Sequence, residues 1–132
     1  MIYIEKNTEQ NFVLELDCLH NIQSPNYLFE FIGIVNDSTI YFTTPNISIH
    51  TGRYDEFTIT DDDTLTSIKT GDVVRSDDSA INFNDGQYDY NVYVTDQVID
   101  INNVTSIIDQ GSISTGKMVV VGEDSVLDDV YQ

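Results

Sequence analysis

The chain has 132 residues, of which 40% are hydrophobic, so it is long enough and apolar enough to fold as one domain around a core. Its 23 acidic residues against five Lys and Arg give a net charge of −18, which argues against binding to nucleic acid or to an anionic membrane surface. A basic surface on a partner would compensate this charge, whereas a solvated acidic surface is the plainer interpretation.

The cysteine content and the N-terminal residues indicate the cellular compartment in which the protein is made and folded. The single cysteine, Cys18, excludes an intrachain disulfide. The opening MIYIEKNTEQ has no basic region followed by an apolar one, so it predicts no secretory signal. No apolar run approaches the roughly 20 residues that span a bilayer. We therefore expect synthesis and folding in a cytoplasm.

The N-terminal half predicts short strands separated by turn signals. Gly33 lies within an almost wholly apolar run and indicates a bulge or a close backbone approach. A phase slip between Tyr54 and Phe57 predicts a second bulge or bend. The strand-like segments cover residues 2–4, 11–17, 27–35, 39–44 and 53–60.

The middle of the chain, residues 61–82, is its most polar part. We expect a loop there, with one short strand or turn near Thr64–Lys69. The turn signal Asp85-Gly86 then precedes a clear strand, in which alternate apolar residues from Tyr88 to Val94 share one face. Tyr93 interrupts the polar face of that strand, so we expect it to have the most scope for contact with a partner.

Two further segments follow. Residues 98–109, VIDINNVTSIID, are ambiguous, although their β-branched content favours a strand or irregular structure. Residues 117–121 predict a strand between two glycines. From about residue 123 the chain predicts a short acidic tail with apolar residues at helix-like spacing.

The pattern as a whole predicts a single all-β domain over residues 1–132. Helix formers are scarce, and turn signals recur about every 8–12 residues, which is typical of a sandwich. We expect an immunoglobulin-like or jelly-roll-like sandwich of seven to nine strands. The predicted core residues are Phe12, Leu14, Leu16, Phe29, Phe31, Tyr88, Tyr90, Val92 and Val119.

No motif in the sequence points to chemistry. Cys18 and His20 lie about 6–7 Å apart along an extended backbone and have no evident third group, so a packed cysteine and a surface histidine are favoured. With His50 they are too few and too scattered for zinc. Asp61–Asp63 lacks the spacing of a calcium loop, and a solvated loop tip is favoured. We expect no enzymatic activity, cofactor or metal.

Three stretches together carry a resemblance: SPNYLFEF at residues 24–31, GQYDYNVY at 86–93 and STGKMVVVGE at 114–123, with RYDEFTI between the first two. Their order resembles small structural proteins of tailed bacteriophages, especially crAss-like and related phages of Bacteroidota, over about residues 11–123. The acidic stretch 61–78 departs from that pattern. The resemblance carries over no catalytic residue.

The resemblance implies an all-β virion component that is made in the host cytoplasm. It favours a head auxiliary or head-fibre protein docking on the capsid, with a head-to-tail connector or a tail component as the alternative. Its partners would be other virion proteins, and copies of the chain could form a homo-oligomer. A surface carbohydrate-binding module is a second alternative, and a glycan hydrolase is the least favoured.

We expect docking through the apolar and aromatic ends of the chain, with the acidic middle facing solvent. The residues predicted to form the interface are Ile2, Tyr3, Ile4, Tyr93, Val126, Leu127, Val130 and Tyr131.

Overall fold

In the computed structural model, residues 2–16, 19–23, 25–48 and 54–122 are described. This part of the chain forms nine strands and one four-residue helix. In chain order these are β1 (Ile2–Glu5), β2 (Glu9–Leu14), β3 (Asn26–Gly33), β4 (Thr39–Thr43), β5 (Asp55–Asp61), β6 (Val73–Ser76), β7 (Ala80–Ile81), β8 (Gly86–Thr95), α1 (Thr105–Ile108) and β9 (Ser114–Val121).

The strands form two sheets. The larger has the order β1-β9-β8-β3-β4-β6, and the smaller has the order β2-β5-β7. Pairing is parallel between β1 and β9, β4 and β6, and β5 and β7, and antiparallel elsewhere in the two sheets. The two sheets enclose one large apolar core. The predicted all-β sandwich of seven to nine strands is confirmed.

The core between the sheets is aromatic. Phe29 is fully buried, and its ring centroid lies 4.9 Å from that of Phe57 on the opposite sheet. The same ring also contacts Phe12, Phe31 and Phe42. Interlocked rings of this kind contribute both buried area and edge-to-face attraction.

The core prediction is confirmed for most of its residues. Leu14 is only half-buried, although it packs against the core. The prediction that Val119 lies in the core is wrong, because Met118 pairs with inward-facing Tyr88 in the β8–β9 ladder. Met118 and Val120 therefore point inward, and Val119 points to the outer face.

Part of the outer face of the large sheet is also covered. The segment between β8 and β9 crosses it as irregular structure, turns and the helix α1. Of the two alternatives predicted for residues 98–109, irregular structure is thus present in part, whereas a strand is absent from these described residues. A second apolar cluster fills the space below the segment. Its buried members are Leu28, Tyr93, Ile101, Val104 and Ile107.

The middle of the chain differs from expectation in two respects. Of the short strand or turn predicted near Thr64–Lys69, a turn is present, in which the backbone N–H of Leu65 donates to the carbonyl of Asp62, and the strand β6 forms later, at Val73–Ser76. Asp61 belongs to β5 and is buried. The expected bulge after Tyr54 is also absent, because alternate residues of β5 face inward from its first residue onward.

Gly33 does mark a close approach. A Cβ atom at this position would collide with the side-chain oxygen of Asn36. That oxygen accepts hydrogen bonds from the backbone N–H and the hydroxyl of Ser38, which closes the β3–β4 turn. In the part of the chain described, no helix has the length and apolar character to cross a membrane.

Candidate docking surface

The N-terminal strand lies at the edge of the large sheet. It pairs in parallel with β9, with Tyr3 opposite Val119 and Glu5 opposite Val121. The backbone N–H of Lys6 extends this pairing by donating to the carbonyl oxygen of Val121 at 3.0 Å. The end of β9 and the end of β1 therefore lie side by side.

Alternation along β1 divides its side chains between the two faces. Ile2 and Ile4 point inward and are buried, so the prediction that they form an interface is wrong. Tyr3 points outward and is 45% exposed. Register partners project to the same side of a sheet, so Tyr3 shares its face with half-buried Val119 and Val121. We call these three residues the β1–β9 strip.

The predicted C-terminal contacts Val126, Leu127, Val130 and Tyr131 fall outside the described residues. The chain reaches that segment from the end of β9, directly after Gly122. The structure thus brings the N-terminal strand and the origin of the C-terminal segment to one edge.

Tyr93 is not a surface contact. It is only 6% exposed, because the segment between β8 and β9 covers it. Its hydroxyl donates to Glu30 Oε1 at 3.0 Å, and the Asn91 amide donates to the same oxygen at 2.9 Å. Burial and then the nearby Glu30 charge raise the pKa of Tyr93 to about 12. The prediction of an exposed contact residue is wrong.

A polar row crosses the outer face of the large sheet through Glu30. Tyr41 and Asn91 are its partners on the two neighbouring strands, and Arg75 is the partner of Tyr41. The Arg75 guanidinium carbon lies 5.7 Å from the centroid of the Tyr41 ring. Burial, followed by the charge of Glu30 and a hydrogen bond to it, raises the pKa of Tyr41, while Arg75 lowers it. Glu30 is 9% exposed and satisfied by these neighbours, so the row stabilises the sheet.

The three aspartates of the Asp61–Asp63 run do not together form a solvated loop tip, because the first of them is buried. Asp61 is fully buried and pairs with Lys6, with 2.8 Å between Nζ and Oδ1. Lys6 also donates to Asn82 Oδ1 at 2.9 Å and to the carbonyl of Phe83. The Asp61 carboxylate further accepts the backbone N–H groups of Asn7 and Phe83. This ion pair ties three separate segments together.

The other two carboxylates of the run point to different partners. Asp62 accepts hydrogen bonds from the hydroxyl and backbone N–H of Thr64, which lower its pKa. Asp63 accepts from the Asn7 amide at 2.9 Å. The run therefore does not converge on one point, and no group of three acidic, His or Cys side chains in the described residues could hold a metal ion.

The Cys18 and His20 pair is described only in part, because Cys18 and His50 lie outside the described residues. His20 is half-buried, and its Nε2 lies 2.7 Å from the Tyr27 hydroxyl. Its Nδ1 accepts the backbone N–H of Ile22 at 3.1 Å. Through these contacts His20 joins the segment before β3 to Tyr27 in β3.

Some of these roles left a trace in the sequence. Glu30 is the one charged residue in an otherwise apolar strand, which is a signal for a buried and partnered carboxylate. Lys6 is one of only five basic residues in a very acidic chain, but its partner Asp61 is 55 residues away. No spacing rule could have paired the two.

Comparison with known proteins finds no match to any protein-family model, to any curated protein or to any solved structure. The resemblance to phage structural proteins therefore stays a prediction.

Proposed function

We propose that this chain is a structural protein of a bacteriophage particle, of the head auxiliary or head-fibre type, that docks on the capsid. A head-to-tail connector or a tail component is the alternative location. The three stretches that carry the resemblance contribute to β3, β8 and β9, which are neighbours in the large sheet. These three stretches thus lie side by side in one sheet, which supports a shared architecture.

The proposed docking surface is the β1–β9 strip together with residues 123–132. The observation that carries this assignment is the parallel pairing of β1 with β9, which places exposed Tyr3 beside the origin of the C-terminal segment. A partly exposed aromatic residue flanked by half-buried valines is suited to anchor an interface. The contact would combine both chain ends without drawing on the buried residues Ile2 and Ile4.

The partner surface would be basic. Lys6 and Lys117 are already paired with Asp61 and Asp89, so they do little to offset the acidic surface elsewhere. Copies of a chain with net charge −18 repel one another unless a partner neutralises them. A basic region of another virion protein both removes this repulsion and speeds the encounter.

The experiment is a quantitative protein gel of purified particles from cells that make each variant. We expect deletion of residues 124–132 and the Tyr3→Ala substitution to reduce the amount of this protein in the particles. Val13→Ala is the matched control, since Val13 is an exposed apolar residue on the small sheet. Asp77→Asn is the control for the acidic middle of the chain, because Asp77 is exposed. Asp61 is unsuitable as a surface control because it is buried.

Two results would contradict the proposal at different levels. Normal incorporation of the deletion and of Tyr3→Ala, with loss for Asp77→Asn, would move the docking surface to the acidic middle. Absence of the wild-type protein from every particle fraction would overturn the virion assignment itself. Cryo-electron microscopy of intact particles would then distinguish a head location from a tail location.

A further inference from the structure

A polar cavity lies at the end of β8, between the β8–β9 segment and the residues before β3. Its volume is about 580 Å³, within the range of about 300–1,000 Å³ that is usual for small-ligand sites. Seven of its ten lining residues are polar, among them Asp96, Gln97, Asp100, Asn103 and Ser106. Most small-ligand sites have a mainly apolar lining, so this composition indicates a polar ligand.

The polar side chains of this cavity have unused hydrogen-bonding capacity. Among the described residues, the side chains of Asp96, Gln97, Asn103 and Ser106 form no hydrogen bond with the rest of the chain. Asp100 uses one oxygen to accept the backbone N–H of Asn102 at 3.0 Å. The cavity therefore presents carboxylate acceptors and amide donors that a ligand can engage directly.

Two other cavities within the described residues differ in part, because several of their polar side chains bond to the rest of the chain. In one of about 270 Å³, Ser76 donates to Asp78, and Asn82 donates to the carbonyl of Leu65. In the other, of about 220 Å³, the Asn84 amide donates to the carbonyl of Ile68. Some polar side chains of these two cavities therefore hold the fold together, whereas those of Asp96, Gln97, Asn103 and Ser106 at the end of β8 form no such bond with other described residues.

The negative charge of the cavity lining restricts the class of ligand that the cavity can bind. Asp96 and Asp100 line the cavity, and no Lys, Arg or His does so. An anionic ligand such as a sialylated or uronic-acid glycan would meet two carboxylates with no compensating cation. The apolar side chain of Val98 on the rim is 94% exposed and can contact the C–H face of a sugar ring. Carboxylates and amides together suit the paired hydroxyls of such a ring.

We propose that this cavity binds an uncharged glycan through Asp96, Gln97 and Asn103. The site is separate from the proposed docking surface. Val119 pairs with Gln87 near the start of β8, whereas Thr95 lies at its end, so the two surfaces are ~25 Å apart along the strand at about 3.3 Å per residue. A particle-bound copy could therefore bind glycan while its docking edge is occupied.

The test is a glycan microarray with the purified chain, followed by titration calorimetry with the neutral oligosaccharide that binds best. We expect binding to neutral glycans and none to sialylated or uronic-acid glycans. Asp96→Ala and Asn103→Ala should each weaken binding about tenfold, the effect of losing one good hydrogen bond. The matched control Asp77→Ala removes the same charge in another cavity and should leave affinity unchanged.

Several outcomes would overturn this proposal. They are no binding to any neutral glycan, preferential binding to anionic glycans, or equal affinity for Asp96→Ala and the control. Asp96, Asn103 and Asp77 are all exposed, so their substitution should leave the melting temperature unchanged. An unchanged melting temperature will show that each variant is folded. Gln97→Ala provides a further site variant if one of them fails to fold. None of these results depends on incorporation into a particle, so failure here leaves the virion proposal intact.

Discussion

The two faces of the large sheet are buried by different means. The inner face packs on the small sheet through rows of aromatic and aliphatic residues that alternate along each strand. Within the described residues, the buried apolar cluster of the outer face lies where the segment between β8 and β9 crosses it, and Tyr93 of that cluster bonds to the buried carboxylate of Glu30. The first kind of burial is encoded within the strands, whereas the second depends on a connection that folds back over them.

This difference has a chemical consequence. At the inner face, Phe29 and Phe31 are surrounded by other rings, and packing alone stabilises them. At the outer face, Glu30 stays buried because Asn91 and Tyr93 donate to its carboxylate. Changes at the inner face should therefore act through lost packing, and changes at the outer face through lost hydrogen bonds.

Phe29→Ala should give the largest loss of stability. Truncating a large, fully buried aromatic side chain costs about 3–5 kcal/mol in the free energy of unfolding, because a cavity remains. Urea denaturation measures the change. Tyr3→Ala is the control on the same sheet, and as an exposed substitution it should stay within about 0.5 kcal/mol. Equal urea midpoints for the two variants would show that the inner face is misassigned.

The same contrast explains how far the sequence could lead. Strands with strict alternation, such as that from Tyr88 to Val94, gave the correct inner face. The run KMVVV in β9 has no polar residue within its last four positions, so its phase is fixed by pairing with β8 and β1 and not by alternation. The sequence pattern of this run therefore cannot distinguish the face of Val119 from that of Met118.

The remaining errors concern contacts between residues far apart in the chain. Tyr93 is buried by a connection whose path no local pattern reveals. Asp61 is buried because Lys6, near the other end of the chain, meets it. The polar cavity likewise forms only when the residues before β3 meet those after β8, so no local pattern predicts it.

Lys6→Met should be nearly as damaging as the aromatic truncation. Removing Lys6 leaves the fully buried carboxylate of Asp61 without its cation, which typically costs about 3–5 kcal/mol. Lys117→Met is the matched control, because its pair with Asp89 lies on the outer face and is exposed to solvent. Such a surface pair contributes about 0–1 kcal/mol. Similar urea midpoints for both variants would indicate that the Lys6 pair is solvated.

Tyr93→Phe should have an intermediate effect. It removes a hydrogen bond to the buried carboxylate of Glu30, for which we expect a loss of about 1.5–3 kcal/mol. Tyr90→Phe on the inner face of the same strand is the control, since its hydroxyl forms no hydrogen bond with other described residues. Urea denaturation of both variants measures the difference. A larger loss for Tyr90→Phe would reverse the contrast between the two faces.

The smallest effect, counted per pH unit, should appear in the alkaline range, at both faces. Burial raises the pKa of Tyr88 on the inner face and of Tyr93 on the outer face to about 12, from 10.0 when exposed. Between these two pKa values the tyrosine is deprotonated in the unfolded chain and protonated in the folded chain. Unfolding therefore releases a proton. Stability is therefore full below pH 10 and falls as the pH rises towards 12.

Each of these tyrosines contributes at most about 1.4 kcal/mol per pH unit to that fall. Tyr93→Phe and Tyr88→Phe should each reduce the slope of unfolding free energy against pH by up to this amount. The measurement is a series of urea titrations at pH values between the two limits, with lysine ionisation cancelling in the difference from wild type. A slope unchanged in Tyr93→Phe but reduced in Tyr88→Phe would mean that water reaches the outer cluster. The covering segment would then pack against the sheet less tightly than the inner core does.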